Sequence, residues 1–437
     1  MKVVVIGTGH VGLVTCATLA SLGHEVVGVD SDESKISSLQ NGLAPFFEPG
    51  LEDLVNEQMK AGRLSFTKEA AQAVPGAEVA FICVGTPARA DGEANLIAVE
   101  QAARDIARHA TGSLVIVEKS TVPAGTANRV RRAILHERSD LASSIHVASN
   151  PEFLREGKAV DDSLRPDRIL VGAESDFARE KMRQLYEPLV DQDFPFIETD
   201  IQTAELAKHA CNAFLALKIS YVNALARMCE RSGADVKAVA TVMGSDARIG
   251  PQFLQAGLGY GGYCFPKDIL AFERLATRLG YSFPLLQEVA RINGEAVDAT
   301  LDKIRDALWN LEDKTVALLG LAFKPDTDDV RLSPALALAR RLLDEGAHVV
   351  GFDPEAQANA KSEIPELEVA PDAYECAQGA HCLVVCTDWD EFRDLDLNRI
   401  RESMNYPVVV DGRNLFDPES MRANGFTYYP TGRPAAV

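Results

Sequence analysis

The chain has 437 residues, is 46% hydrophobic and 25% charged, and carries a net charge of −20. That length supports two or three domains, each with its own core, and the acidic balance argues against a nucleic-acid polymer or an anionic membrane surface as partner. The apolar run in "MKVVVIG" is too short for a secretory segment, no stretch approaches a membrane span, and the eight cysteines form no zinc-type CxxC pairs, so the expectation is a cytoplasmic protein with reduced thiols and no metal site.

In chain order, "KVVVIG" reads as a strand, "GTGHVG" as a turn, "LVTCATLASLG" as a helix ending at Gly23, and "HEVVGVD" as a second strand. Further strands are expected in "EVAFICVGTP", "SLVIVEKST" and "IHVASNPEF", with helices such as "AVEQAARDIARHA" between them. This alternation predicts an α/β fold with a parallel, doubly wound sheet. From Thr199 an uninterrupted helical pattern runs to about Gly233, and helix continues to about residue 300. At Thr315 the strand-helix-strand texture returns, with later strands in "HCLVVCTDW" and "PVVVDGRN". The expected organisation is a dinucleotide-binding Rossmann domain over 1–198, a central helical domain over 199–300 and a second Rossmann-like α/β domain over 301–437.

Gly7, Gly9 and Gly12 form G-x-G-x-x-G between a strand and a helix, and Asp30 ends the next strand. Gly7 permits the tight turn, Gly9 lets a pyrophosphate approach the backbone, and Gly12 lets helix and strand pack closely. The helix start supplies N–H donors and positive potential. An acid at Asp30 suits ribose hydroxyls and repels a 2′-phosphate, which favours NAD over NADP; FAD proteins share the fingerprint. His10, inside the turn, reads as a loop residue placed by the backbone.

A second concentration of chemistry lies in "GLGYGGYCFPKD", which puts Cys264 beside Lys267 and Asp268 behind a glycine-dense loop. Ser120 and Thr121 end one predicted strand; Asn150, Glu152, Arg155 and Glu156 follow the next. Lys208 and Asn212, four apart on the long helix, share one face. Lys267 and Lys208 would favour a thiolate at Cys264, and the other seven cysteines lie in apolar patterns as small core residues.

The ordered motifs "GTGHVG", "ICVGTP", "EKSTVPAGT", "NPEFLREG", "ELAKHACNAFLA", "RIGPQFLQAGLGYGGYCFPKD", "FKPDTDDVR" and "DGRN" span nearly the whole chain. Together they resemble the UDP-glucose/GDP-mannose dehydrogenase family, which oxidises a sugar 6-alcohol to a carboxylate. The phenylalanine in "CFPKD" and the stretch before it favour the UDP-glucose branch, with GDP-mannose or another UDP-sugar as the alternative substrate. The resemblance implies two NAD per sugar and a Cys264 nucleophile passing through thiohemiacetal and thioester. Lys208 would stabilise oxyanions with Asn212 as its partner, while Asp268, Glu152 and Thr121 would position water and move protons. NAD would meet Gly7, Gly9, His10, Val11, Gly12, Asp30, Lys35, Thr86, Thr121, Glu156, Lys267 and Arg331.

The nucleotide sugar would meet Glu152, Phe153, Leu154, Arg155, Glu156, Lys208, Asn212, Arg248, Phe253, Gln255, Gly257, Gly259, Tyr260 and Gly261. Phe323, Lys324 and Arg413 would reach it from the last domain, with substrate and cofactor in the cleft between the two α/β domains. The long helix offers a homodimer seam. One position departs from the family pattern: a small serine is common before the cysteine, where this chain has Tyr263. A simple two-electron hydroxyacid dehydrogenase would share the dinucleotide site but would not need Cys264, and a nucleotide-sugar sensor would keep the pocket without the chemistry.

Overall fold

A computed structural model describes residues 1–89 and 92–435. The chain divides into two compact units, one of Met1–Cys211 with Leu270–Tyr281, the other of Asn212–Ile269 with Ser282–Val437.

The first unit is built on an eight-stranded sheet. Its strands are β1 (Lys2–Ile6), β2 (Glu25–Val29), β3 (Leu64–Thr67), β4 (Val79–Ile82), β5 (Leu114–Glu118), β6 (Ile145–Ser149), β7 (Ile169–Ala173) and β8 (Phe196–Thr199). They lie in the order β3-β2-β1-β4-β5-β6-β7-β8. All neighbours are parallel except β6 and β7, so the expected parallel sheet carries one antiparallel junction. β1 shows why the strands form: its β-branched residues alternate between the two faces of the sheet. Val3 and Val5 join Leu13 and Ala17 of the helix His10–Ser21 in one core, while Val4 joins Val99 and Ile106 of the helix Ile97–His109 in the other.

The second unit holds a six-stranded, all-parallel sheet of β9 (Thr315–Leu319), β10 (His348–Phe352), β11 (Glu368–Val369), β12 (Cys382–Val385), β13 (Val408–Asp411) and β14 (Thr427–Pro430). Its order, β11-β10-β9-β12-β13-β14, repeats that of the first six strands. β9 again divides its side chains, Val316 and Leu318 to one core and Ala317 and Leu319 to the other.

Between the sheets in sequence come four helices: Ile201–Ser232, Val236–Gly244, Cys264–Arg278 and Pro284–Leu308. The first has 32 residues, about 48 Å of helix, with neither glycine nor proline to interrupt it. The last runs past residue 300, through Gly294, to Leu308, so helix continues eight residues beyond the expected domain edge. Val297, Leu301, Ile304 and Leu308 hold it there by packing on the core of the second sheet. Among the described residues no helix is long and apolar enough to cross a membrane.

Candidate active site

In both sheets ligands are expected beyond the carboxyl ends of the central strands, where the strand order reverses. In the first unit that place is the turn after β1. Gly7 has φ +96°, and its N–H donates to the carbonyl of Val29 at 2.7 Å. A Cβ on Gly12 would stand 1.8 Å from the Gly7 carbonyl oxygen, whereas a Cβ on Gly9 would meet nothing within 4 Å. Gly12 is therefore fixed by packing, and Gly9 borders open space suited to a pyrophosphate at the helix start. Val11 packs on the core behind the turn. His10 is the first residue of the helix rather than part of a loop, stacked on Phe46 at 4.0 Å.

Asp30 accepts from the Thr8 N–H at 2.9 Å and pairs with Lys35 at 2.8 Å. Burial alone would push its carboxyl up; the Lys35 ammonium and the N–H groups of Thr8 and Asp32 outweigh that and hold it below the ordinary aspartate value. An ionised acid with an adjacent cation beside an open glycine turn fits the ribose of NAD. At the tips of β4 and β5, the buried Thr86 hydroxyl donates to the Thr121 carbonyl at 2.9 Å.

Beyond β6 the chain places Glu152 against Lys208 at 2.9 Å, both side chains only 5% exposed. This excludes a solvated lysine at 208. Removing two charges from water is costly unless they are paired, so this pair is built in at some expense to stability. Phe153 lies beneath it, its ring 5.2 Å from the Lys208 ammonium and 3.9 Å from the Arg168 guanidinium. Leu154 packs on the core, Glu156 is half-buried, and Arg155 is exposed and paired with Asp162 at 2.6 Å.

Lys119 and Tyr186, which the sequence reading passed over, support this loop through Asn150. Lys119 donates to the Asn150 side chain at 3.1 Å, the Tyr186 hydroxyl donates to the same oxygen at 2.6 Å, and Asn150 donates to the Leu170 carbonyl. Burial lowers the Lys119 pKa and pushes the nearby Cys83 thiol up to about 12, so Cys83 is an inert core sulfur.

The second unit gathers the remaining groups. Cys264 is the first residue of the helix Cys264–Arg278, half-buried, where the helix N-terminus favours negative charge. Asp268 follows four residues later, at the start of the second turn. Its carboxylate accepts from Asn212 at 2.6 Å and from Lys267 at 2.7 Å. Lys208 stands one turn before Asn212 on the long helix.

The glycine loop is held by two asparagines that sequence reasoning passed over. Asn223 accepts from the Gly257 N–H at 2.8 Å, and Asn293 exchanges two hydrogen bonds with the Tyr260 backbone at 2.8 and 2.9 Å. Asn223 carried a signal, since it lies three helical turns beyond Asn212 and so on the same face. Asn293 carried none, since its partner Tyr260 lies 33 residues away in the chain.

Close approach accounts for the loop's glycines. A Cβ on Gly257 would stand 2.5 Å from the Gly412 carbonyl, one on Gly261 2.4 Å from the Leu332 carbonyl, and Gly259 has φ +100° against Asn293. Arg413 donates to the carbonyls of Cys386 at 2.7 Å and Phe323 at 3.3 Å, which brings Phe323 and Arg413 together with this loop. Lys324 lies 5.4 Å from the Phe323 ring, and Arg331 pairs with Asp329 at 2.6 Å. Phe253, at φ +63°, neighbours Phe265 at 6.3 Å, while Gln255 is exposed. Arg248 is the outlier, 89% exposed and paired with Asp246.

Comparison with known proteins matches this chain to three sequence profiles of the UDP-glucose/GDP-mannose dehydrogenase family. They are its NAD binding domain over residues 1–190, its central domain over 202–295 and its UDP binding domain over 317–418. A UDP-glucose 6-dehydrogenase of Rhizobium meliloti is 46% identical, covering 99% of this chain and 100% of that protein. UDP-glucose 6-dehydrogenase TuaD of Bacillus subtilis is 43% identical over 99% of this chain and 94% of its own length. A solved UDP-glucose dehydrogenase from Pyrobaculum islandicum superposes with a TM-score of 0.91 at 38% identity, covering 99% of this chain and 98% of that one.

Proposed function

Since the chain belongs to the UDP-glucose/GDP-mannose dehydrogenase family, we propose that it oxidises UDP-glucose to UDP-glucuronate with two NAD and one water, using Cys264 as nucleophile. The observation that carries the reading is the helix start at Cys264, where a thiol, Lys267, Asp268 and Asn212 sit within one turn of chain or one hydrogen bond of each other.

Bound NAD supplies the acceptor for two hydrides, one from the alcohol and one from the thiohemiacetal. The chain's own residues do the rest. As the alcohol and then the hemiacetal are oxidised, each gives up its hydroxyl proton to the water held by Glu152 and Thr121, while the Lys208 ammonium offsets negative charge on the sugar oxygen. The Cys264 sulfur attacks the aldehyde carbon, and the oxygen takes up a proton. Water then adds to the thioester carbonyl, the carbon–sulfur bond breaks and the thiolate leaves. Asp268 accepts the water's proton, with Glu152 and Thr121 orienting that water. Asn212 keeps the Asp268 carboxylate in place.

The NAD-facing groups are the glycine turn with His10 and Val11, Asp30 with Lys35, and Thr86, Thr121, Glu156, Lys267 and Arg331. The sugar nucleotide is held by residues 152–156 with Lys208 and Asn212, by 253–261, and by Phe323, Lys324 and Arg413, with Arg248 as an outer contact. The protein works in the cytoplasm as a homodimer. Phe214, Tyr221 and Met228, 60%, 51% and 65% exposed and seven apart on the long helix, supply an apolar stripe for the pairing.

The test is NADH yield from limiting UDP-glucose with excess NAD, for wild type and Cys264→Ser. Two NADH per sugar, with steady turnover lost in the variant, is the expected outcome. One NADH per sugar and an indifferent variant would mean a simple two-electron dehydrogenase. No NADH at all would direct attention to GDP-mannose and other UDP-sugars.

A further inference from the structure

The residue before the cysteine, Tyr263, has so far no part in the site. Its ring lies 5.4 Å from the Lys267 ammonium and 4.6 Å from the Arg331 guanidinium, both within the range at which a cation is drawn to an aromatic face. The two cations differ in origin. Lys267 belongs to the first turn of the Cys264 helix, and Arg331 to the loop between β9 and the helix Pro334–Asp344, where Asp329 grips it.

The Lys267 ammonium is in unusual surroundings. Its side chain is 8% exposed and that of its partner Asp268 1% exposed. An ammonium has three N–H donors, and Asp268 accepts one at 2.7 Å. A charge kept from water needs compensation on its remaining sides, and the ring face supplies it. A serine there would leave that work to solvent.

The backbone around Tyr263 is fixed independently of the ring. The Gly262 N–H donates to the Arg331 carbonyl at 3.0 Å, and a Cβ on Gly262 would meet the Phe323 ring at 2.8 Å. Removing the ring therefore removes one contact surface without dismantling the loop.

We propose that Tyr263 is a positioning residue for Asp268: its ring keeps Lys267 dry and seated on one carboxylate oxygen while Asn212 holds the other. The inference rests on the functional reading above, in which Asp268 receives the proton of the water that hydrolyses the thioester. Loss of the ring then loosens the Lys267–Asp268 pair and slows hydrolysis selectively. The Cys264 thioester accumulates, while substrate capture is spared.

The experiment follows UDP-glucose oxidation by the full chain as wild type, Tyr263→Phe and Tyr263→Leu. It records kcat, the KM for UDP-glucose, and by intact-protein mass the fraction of enzyme carrying the sugar adduct during turnover. Tyr263→Phe keeps the ring and is expected within twofold of wild type on all three. Tyr263→Leu is expected to lose about tenfold in kcat, the factor that ~1.4 kcal/mol represents, with KM changed less than twofold and the adduct fraction raised. If the leucine variant fails to fold, Tyr263→Met reads the same quantities.

A leucine variant indistinguishable from wild type, a phenylalanine variant that falls with it, or a rate loss without added adduct overturns the inference and leaves the enzyme's reaction standing. A wild-type chain that yields no NADH from UDP-glucose overturns the reaction, and the inference with it.

Discussion

The two sheets start in the same way and end as different kinds of site. In each, a glycine follows the first strand at positive φ, Gly7 at +96° and Gly320 at +91°, and its N–H donates at 2.7 Å to the last carbonyl of the second strand. In each, an aspartate closes that second strand: Asp30 after β2 and Asp353 after β10. Past the glycine they diverge. After Gly7 a helix begins at His10, leaving N–H groups and open space at Gly9. After Gly320 the chain makes a loop to Ser333, and Asp353, fully buried, spends its oxygens on the N–H groups of Leu321, Ala322, Glu355 and Ala356 and the Trp389 indole. Asp30 keeps 11% of its side chain exposed beside the open turn, whereas Asp353 is wholly enclosed. The same strand order therefore leaves an acid within reach of a ligand in the first sheet and not in the second.

That contrast can be broken most forcefully at the glycines. Gly12→Ala puts a Cβ 1.8 Å from a backbone oxygen, and Gly320→Ala puts one 2.3 Å from the Thr387 Cβ at a left-handed φ. Both should cost roughly 2–4 kcal/mol in urea denaturation, but only Gly12→Ala should weaken NAD binding, by about a hundredfold in calorimetry. A parallel loss of NAD affinity in Gly320→Ala would mean that the two turns are not functionally distinct.

The aspartates sharpen the point at smaller scale. Asp353→Asn turns amide donors toward N–H donors and should cost about 2–3 kcal/mol of stability with the KM for NAD unchanged. Asp30→Asn should do the reverse, losing under ~1 kcal/mol of stability while raising the KM for NAD about tenfold through loss of a charge-assisted hydrogen bond.

The smallest effect is in pH. The Asp30 carboxyl is held below its ordinary value of 3.8 despite burial, chiefly by Lys35, so its contribution is present above that value and fades as pH falls through the folded one. Asp411, at the end of β13, is pushed above 3.8 by burial, only partly offset by the Phe416 N–H and the Tyr428 hydroxyl. Its contribution is full below 3.8 and fades as pH rises. Denaturation at pH 7 and pH 4 should show the stability gap to wild type narrowing on acidification for Asp30→Asn and widening for Asp411→Asn. Gaps that move together would remove the distinction.

These differences mark where the sequence could be read and where it could not. The turn after β1, the acid at Asp30 and the long helix were legible because glycine spacing, strand-end acids and helical periodicity are local signals. β7 and β8 went unread: β8 is a four-residue edge strand with Ile197 46% exposed, so it has no buried face to produce alternation. The helix start at Cys264 was not read because Pro266 reads as punctuation, although a proline in a first turn forfeits no hydrogen bond. Lys119, Asn223 and Asn293 were missed for another reason: what gives each its role is a partner distant in sequence, which no local window contains.

The burial of the sulfurs has a practical consequence. Of eight cysteines only Cys211 and Cys264 are not buried, and burial pushes the thiols of Cys83, Cys376 and Cys386 up to about 12. Alkylating reagents need both access and a thiolate, so the native chain is addressable at two points and Cys211→Ser reduces them to one. A fluorophore or spin label could then be attached beside the glycine loop with the other six sulfurs untouched, reporting the loop's motions in a chain whose proposed nucleophile the label itself occupies.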